Sequence, residues 1–253
     1  MPIQPARLYT AAGEATLAGT GSPIPLDRLV PPEAAGGLRE PWEVEIGFGK
    51  GRYLFERCRN DPGRRFLGIE IAGQYLREWV RKSRKEGLSN FLALHGDALA
   101  LLATSLPAGM AEGVHIYFPD PWWKTKHKKR RLLDPETVDL VLRLLAPAGK
   151  LSFATDFLEY GHKVAAVLSG VPGLQIRRIE EWPEGPRTHY EAKFVAEGRP
   201  ILRLEAWFAE GAGPGLHPLG ERGVVAAVRG QVWPEDEPGG SGDEDLQEGE
   251  TDE

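Results

Sequence analysis

The 253-residue chain has one cysteine, Cys58, so an internal disulfide is excluded and a reducing compartment is expected. No run of about 18 apolar residues occurs, and no membrane span is expected. The opening MPIQPARLYTAAGEATLAG lacks a charged start followed by an apolar core, so it does not read as a secretory signal. A soluble cytoplasmic protein is the default. The six histidines are scattered without ligand spacing, which argues against a metal site. Neither a G-x-S-x-G elbow nor a G-x-x-x-x-G-K-[ST] loop is present. Cys58 falls on a predicted helix away from any strand end, a poor position for a nucleophile.

Excess positive charge is also lacking, since the formal net charge is −6. The distribution is uneven, however. Residues 234–253 hold ten acids and no lysine or arginine, and without them 31 basic residues face 27 acidic ones. A mildly basic body with an acidic tail points to an anionic partner. The tail should be disordered.

Order is expected from Trp42, after a loosely ordered arm over 1–41 with short extended pieces near Ala6–Tyr9 and Ala15–Leu17. Strands are predicted at 42–46, 65–71, 91–95, 114–118 and 151–154. The intervening helices lie near 52–60, 73–86, 99–102, 134–145 and 157–168, and Asp134-Pro135 reads as a helix start. Two further strands at 174–180 and 201–208 flank a polar loop, Trp182 to Glu191. The alternation specifies an α/β fold, a doubly wound, mostly parallel seven-stranded sheet over 42–210. Beyond 211 the pattern fades into a Gly-rich, acidic extension, with a short strand or helical turn at 223–233. In such sheets ligands sit at the carboxyl ends of the strands, where strand order reverses.

Three of those ends carry acids. Glu45 precedes Gly47, Gly49 and Gly51 in a G-x-G-x-G turn that does not match the G-x-G-x-x-G dinucleotide spacing. A carboxylate there suits a ligand with an ammonium group better than a pyrophosphate, which favours S-adenosylmethionine over a nicotinamide dinucleotide. Glu70 ends the second strand, where an acid accepts hydrogen bonds from ribose hydroxyls. Asp97 follows the third strand within reach of an adenine amino group. Taken alone, Glu70 is equally well read as a surface acid, and Asp97 better read as a helix cap.

The fourth strand runs into YFPDPWWKTKHKKRR at 117–131. Two prolines restrict the backbone around Asp120, two tryptophans follow, and six cations occupy positions 124 to 131. No acid lies between Asp120 and Asp134 to neutralise them. Cations bunched beside aromatics are the footprint of nucleic-acid contact. Asp156 ends the fifth strand, and Arg187-Thr188-His189-Tyr190-Glu191 lies in the late loop. The basic stretch Arg77–Lys85 reads as a solvated face, with phosphate contact as the alternative.

EIGFGKG at 45–51, FLGIE at 66–70, GDA at 96–98, the 117–131 segment, ATD at 154–156 and THYE at 188–191 together resemble the bacterial tRNA (guanine-N7-)-methyltransferases. The similarity runs in order over about 42–208. The resemblance implies a Rossmann-like class I methyltransferase that uses S-adenosyl-L-methionine to methylate N7 of a tRNA guanine, nucleotide 46 of the variable loop. It also implies cofactor contacts at Glu45, Gly47, Gly49, Glu70, Asp97 and Asp120, with Asp120 as the catalytic residue. Substrate contacts follow at Lys124, Asp156, Thr188, His189, Tyr190 and Glu191. Lys126 stands where an arginine is common in the family, and neither the arm nor the acidic extension has a counterpart. A monomer or weak homodimer without metal is expected. Three other readings stay open at this point. A methyltransferase for proteins or small molecules would not need the basic run, an oxidoreductase would want the missing dinucleotide spacing, and a non-catalytic relative would lose a cofactor acid or Asp120.

Overall fold

The computed structural model describes residues 7–11, 13–16, 42–104, 106–120, 131–135 and 137–213. The basic residues of 121–130, Lys124 among them, and the stretch 223–233 lie outside the described residues. Among those described, nine strands form one sheet in the order β2-β1-β5-β4-β3-β6-β7-β9-β8. They are β1 Arg7–Thr10, β2 Glu14–Thr16, β3 Trp42–Ile46, β4 Arg65–Glu70, β5 Phe91–His95, β6 Ala111–Tyr117, β7 Leu145–Thr155, β8 Leu174–Ile179 and β9 Leu202–Phe208. The helices are α1 Arg52–Asn60, α2 Gly73–Lys85, α3 Ala98–Thr104, α4 Val138–Leu142, α5 Leu158–Ser169 and α6 His189–Ala196.

The five strands β5-β4-β3-β6-β7 are parallel, while β9 and β8 add antiparallel at one edge. These are the expected seven. The arm contributes two more: its extended pieces are β1 and β2, and β1 pairs antiparallel with β5 through Leu8↔Leu94 and Tyr9↔Ala93. Arg84 of α2 pins this hairpin by donating to the carbonyls of Thr10 and Gly13.

Strand alternation assigns the two faces. Val44 and Ile46 of β3, Leu67 and Ile69 of β4, and Val114 and Ile116 of β6 pack beneath α3, α4 and α5 in the main core. Phe66, Phe91 and Ala93 face the other way, against Leu54, Phe55 and Cys58 of α1 and Leu76, Trp79 and Val80 of α2. On that second face β3 and β6 present Glu43, Glu45, His115 and Tyr117, all buried. Period two thus sorts an apolar layer from a polar one in the same two strands.

Three element boundaries differ from expectation. The stretch 134–145 is a turn followed by the short α4, because the Thr137 hydroxyl accepts from the Asp134 N–H and closes a local loop before Val138. The Pro147-Ala148-Gly149 stop lies inside β7, where the register against β6 shifts and Ala148 takes a φ of 63°. Finally, α6 follows the late loop.

Removing the Arg84 side chain should free the hairpin. Arg84→Ala is expected to lower stability by only about 1 kcal/mol, since the group is solvent-exposed. Amide exchange at Leu8–Thr10 should accelerate well ahead of that in β4, and unchanged exchange there would contradict the anchoring role.

Candidate active site at the strand ends

Strand order reverses between β3 and β6: the chain leaves β3 to build β4 and β5 on one side, then returns to build β6 and β7 on the other. The crevice at this point is flanked by the glycine turn after Ile46 and by Phe118-Pro119-Asp120 after Tyr117.

The turn is made by three residues with positive φ, Gly47 at 72°, Gly49 at 53° and Gly51 at 61°. The three are not equivalent. A β-carbon on Gly51 would lie 2.2 Å from the Trp79 ring, whose Nε1 donates to the Gly51 carbonyl at 2.9 Å. At Gly47 and Gly49 a β-carbon would meet nothing within 4 Å. Gly51 therefore locks the turn to α2, whereas Gly47 and Gly49 leave backbone open to a ligand.

Glu45 is 2% exposed and its Oε2 accepts from the Leu54 N–H at 3.0 Å, at the start of α1. Burial, with a smaller contribution from Glu70, pushes its pKa up to about 8. Arg187 offsets this only in part, and among the described residues no cation forms an ion pair with this buried carboxyl. Glu70 is bound to the turn itself, for its two oxygens accept from the N–H groups of Gly49 and Ala72, each at 2.7 Å. Asp97 is exposed and caps α3 by accepting from the Ala100 N–H at 3.1 Å. The three acids thus occupy the ends of three adjacent strands, as their spacing implied.

Asp120 is exposed after β6. Phe118, two residues before it, holds a φ of 49°, in a region that bulky side chains rarely enter. Its ring packs on Phe194 of α6 with centroids 5.6 Å apart.

The late loop returns over this crevice through Arg187, a residue to which no sequence motif points. Its guanidinium stacks 3.8 Å from the Trp182 ring and 5.1 Å from Tyr53. It also donates to the Tyr117 hydroxyl and to Glu184. The Tyr117 hydroxyl lies 3.0 Å from His115 Nδ1, and His115 Nε2 lies 3.4 Å from both the Tyr53 hydroxyl and Glu43. Burial holds the His115 pKa below its ordinary value. Burial also opposes the charge on Glu43, but hydrogen bonds from His115 and Arg57 outweigh it and bring the pKa down to about 2. A continuous polar chain therefore runs under α1 from Arg57 to Arg187.

The THYE segment is a helix start. The Thr188 hydroxyl accepts from the Glu191 N–H at 3.0 Å, and Glu191 reaches back to the Arg187 N–H at 2.8 Å. This is a variant of the capping box, whose sequence signature is S/T-x-x-E before an apolar run: the N-cap Thr188 is engaged as usual, but the Glu191 carboxylate reaches one residue further back, to the N–H of Arg187. Reading 182–191 as loop alone missed it. Glu191 is 0% exposed, and its other oxygen accepts from Arg203 of β9. Both oxygens are thus engaged inside the fold, in a place that suits a positioning residue better than the direct substrate contact expected of it. His189 and Tyr190 are exposed, the latter by 63%. Asp156 at the end of β7 pairs with Arg199, which lies 4.0 Å over the Phe194 ring.

Among the described residues no group of three or more His, Cys, Asp or Glu side chains is placed to hold a metal ion. No described helix is long and apolar enough to cross a membrane.

This strand order, with an acid-and-glycine turn at the reversal, defines a Rossmann-like class I methyltransferase. In agreement, a crystal structure of a 16S rRNA (adenine(1408)-N(1))-methyltransferase from Catenulisporales acidiphilia shares the fold, with a TM-score of 0.50 over 80% of this chain and 96% of that one at 16% identity. A family model described as "Putative methyltransferase" matches residues 39–204. A tRNA (guanine-N(7)-)-methyltransferase from Nitrosococcus oceani is 40% identical over 64% of this chain and 69% of its own. Another, from Alkalilimnicola ehrlichii, is 36% identical over 73% of this chain and 77% of its own. The chain belongs to the tRNA (guanine-N(7)-)-methyltransferase family.

Two expectations follow. Breaking a buried ion pair on one side strands its partner, so Glu191→Ala should cost roughly 3–5 kcal/mol in denaturant unfolding. A loss of activity at unchanged stability would instead restore Glu191 to direct substrate contact. The second concerns pH. Folded Glu45 keeps its proton to about pH 8, whereas the unfolded chain releases it near its ordinary value of 4.5. The folded state therefore binds the extra proton in that window, and stability falls as pH rises through it. In ligand-free protein, Glu45→Gln should flatten the decline in Tm between these two values. An identical decline in the variant would assign it to another group.

Proposed function

We propose that this chain transfers a methyl group from S-adenosyl-L-methionine to N7 of guanine in tRNA, at nucleotide 46 of the variable loop, as a cytoplasmic enzyme. The observation that carries the site assignment is the position of Glu45 on β3 and of Asp120 just beyond β6, the adjacent strand across the order reversal.

The residues present suit this cofactor. Buried Glu45, with no ion pair among the described residues, fits the ammonium of the methionine moiety. The open backbone at Gly47 and Gly49 admits close approach, and Glu70 and Asp97 offer acceptors at neighbouring strand ends for ribose and adenine. When bound, the cofactor supplies an electrophilic methyl group on a sulfonium.

Guanine N7 carries a free lone pair and no proton, so this chain needs no general base. Its residues act by alignment and by charge. Asp120 sits where a carboxylate faces both the methyl donor and the purine edge, and it stabilises the positive charge that develops on the ring. Asp156 shares the guanine edge, accepting from N1–H and the amino group. Lys124 and the cations after it grip phosphates. His189 and Tyr190 meet the tRNA at the exposed start of α6, with Thr188 and Glu191 positioning them through the capping box.

The decisive measurement incubates the protein with labelled S-adenosyl-L-methionine and unmodified tRNA, then maps the methylated base. Label at N7 of nucleotide 46 is expected; label on another base, or none, would overturn the reading. Asp120→Asn keeps size and removes charge. At saturating tRNA and cofactor its turnover should fall on the order of 100-fold, and an unchanged kcat would exclude the electrostatic role.

A further inference from the structure

The cations of this surface are paired in two different ways. Over most of the described surface they face acids: Arg52 pairs with Glu56, Lys163 with Glu159, Arg177 with Glu205, Lys193 with Glu197 and Arg199 with Asp156. On α2 they do not. Arg81 and Lys85 stand four residues apart on one stripe, where like charges repel, although Lys85 in the last turn also meets the helix dipole. Both are exposed, as is Lys50 in the glycine turn, and among the described residues no carboxylate forms an ion pair with any of the three. Lys82, between them, is held with its ammonium 3.7 Å over the Phe55 ring. A purely solvated face would be expected to carry compensating acids, and here Glu78 is the one acid lining the groove.

These side chains line a groove of about 390 Å³ between α2 and the turn, floored by Trp79 and edged by the exposed ring of Tyr75. Lys50 lies between Gly49 and Gly51, so one end of the groove opens at the carboxyl end of β3. The same positive field reaches the late loop. Burial lowers the His189 pKa, and Arg52, Lys50 and Lys82 lower it further. Two of the cations that line the groove, Lys50 and Lys82, thus also act on His189 at the start of α6.

We propose that Lys50 of the glycine turn with Arg81, Lys82 and Lys85 of α2 forms a phosphate-binding track that carries the sugar-phosphate backbone of the substrate tRNA past the turn, in addition to the cations of 124–131. The inference rests on the reading of the chain as a tRNA methyltransferase. Unpaired cations spaced along a helix match the repeat of a phosphodiester chain, and the exposed Tyr75 ring offers a surface on which a base can stack.

The test uses the full chain and the triple variant Lys50→Gln/Arg81→Gln/Lys85→Gln, which breaks no ion pair of the described fold. tRNA binding is titrated over a range of salt concentrations. Each phosphate contact contributes roughly 0.7–0.9 to the slope of log Kobs against log salt, so the variant's slope should be shallower by about 2 to 3. Its tRNA affinity at low salt should fall at least about tenfold, with Kd for S-adenosyl-L-methionine changed far less. The double variant Arg81→Gln/Lys85→Gln leaves the turn intact and should move the slope by about twice as much as a single contact, roughly 1.4 to 1.8. Slopes and affinities equal to the starting protein in both folded variants would overturn the inference while leaving the proposed activity standing. Failure of the starting protein to bind tRNA at all would overturn both. Displacement of tRNA by polyglutamate as effective as by unrelated RNA of equal charge, abolished in the triple variant, would reassign the track to an acidic peptide and so also overturn it.

Discussion

Arg187 reaches from the loop after β8 to α1 and the end of β6, with its guanidinium stacked on Trp182 and bonded to the Tyr117 hydroxyl. A buried cation is costly unless its donors are met, and here aromatic faces, a phenol and Glu184 meet them together. Much of the site hangs on that arrangement. Tyr117 leads directly into Phe118 and Asp120, while the next residue after Arg187 caps α6. One side chain thus fixes the late loop to the strand whose end carries the candidate catalytic acid. Its planar, forked shape suits the role better than a lysine's point charge.

The polar layer beneath α1 explains why this face of the sheet tolerates Glu43, Glu45, His115 and Tyr117. Each has a partner within the layer, and the chain of contacts ends at cations on both sides, Arg57 and Arg187. Glu45 is the exception in charge. It receives one N–H and, among the described residues, no ion pair, with Arg187 acting on it only at a distance, which is the condition that suits the ligand role proposed for it.

Much of this was legible in the sequence. Five strand-helix alternations gave the parallel core because the hydrophobic periods were clean, and the acids at 45, 70 and 97 stood at strand ends because those strands were placed correctly. The pattern E-V-E-I in β3 and V-H-I-Y in β6 even encoded the polar face, through residues alternating with buried aliphatics. What escaped was written in turn chemistry. T-H-Y-E reads as a capping box once a helix is sought there, and Pro147-Ala148-Gly149 stops a helix and bulges a strand with the same residues. Arg84 could not have been foreseen, since its partners are backbone carbonyls 71 and 74 residues away. Nor could Arg187, whose cage comes from three separate elements.

Phe118 has a consequence of its own. A phenylalanine in left-handed backbone stores on the order of 1–3 kcal/mol of strain, held by its neighbours. That strain sets the direction in which the chain leaves the sheet, and so the heading of Asp120. On the role proposed for Asp120, stabilising selection and catalytic selection pull oppositely at this residue: a glycine would relax the bend, and with it release the aim of the carboxylate. Screening this chain for thermal robustness alone would tend to collect changes at Phe118 that blunt the enzyme.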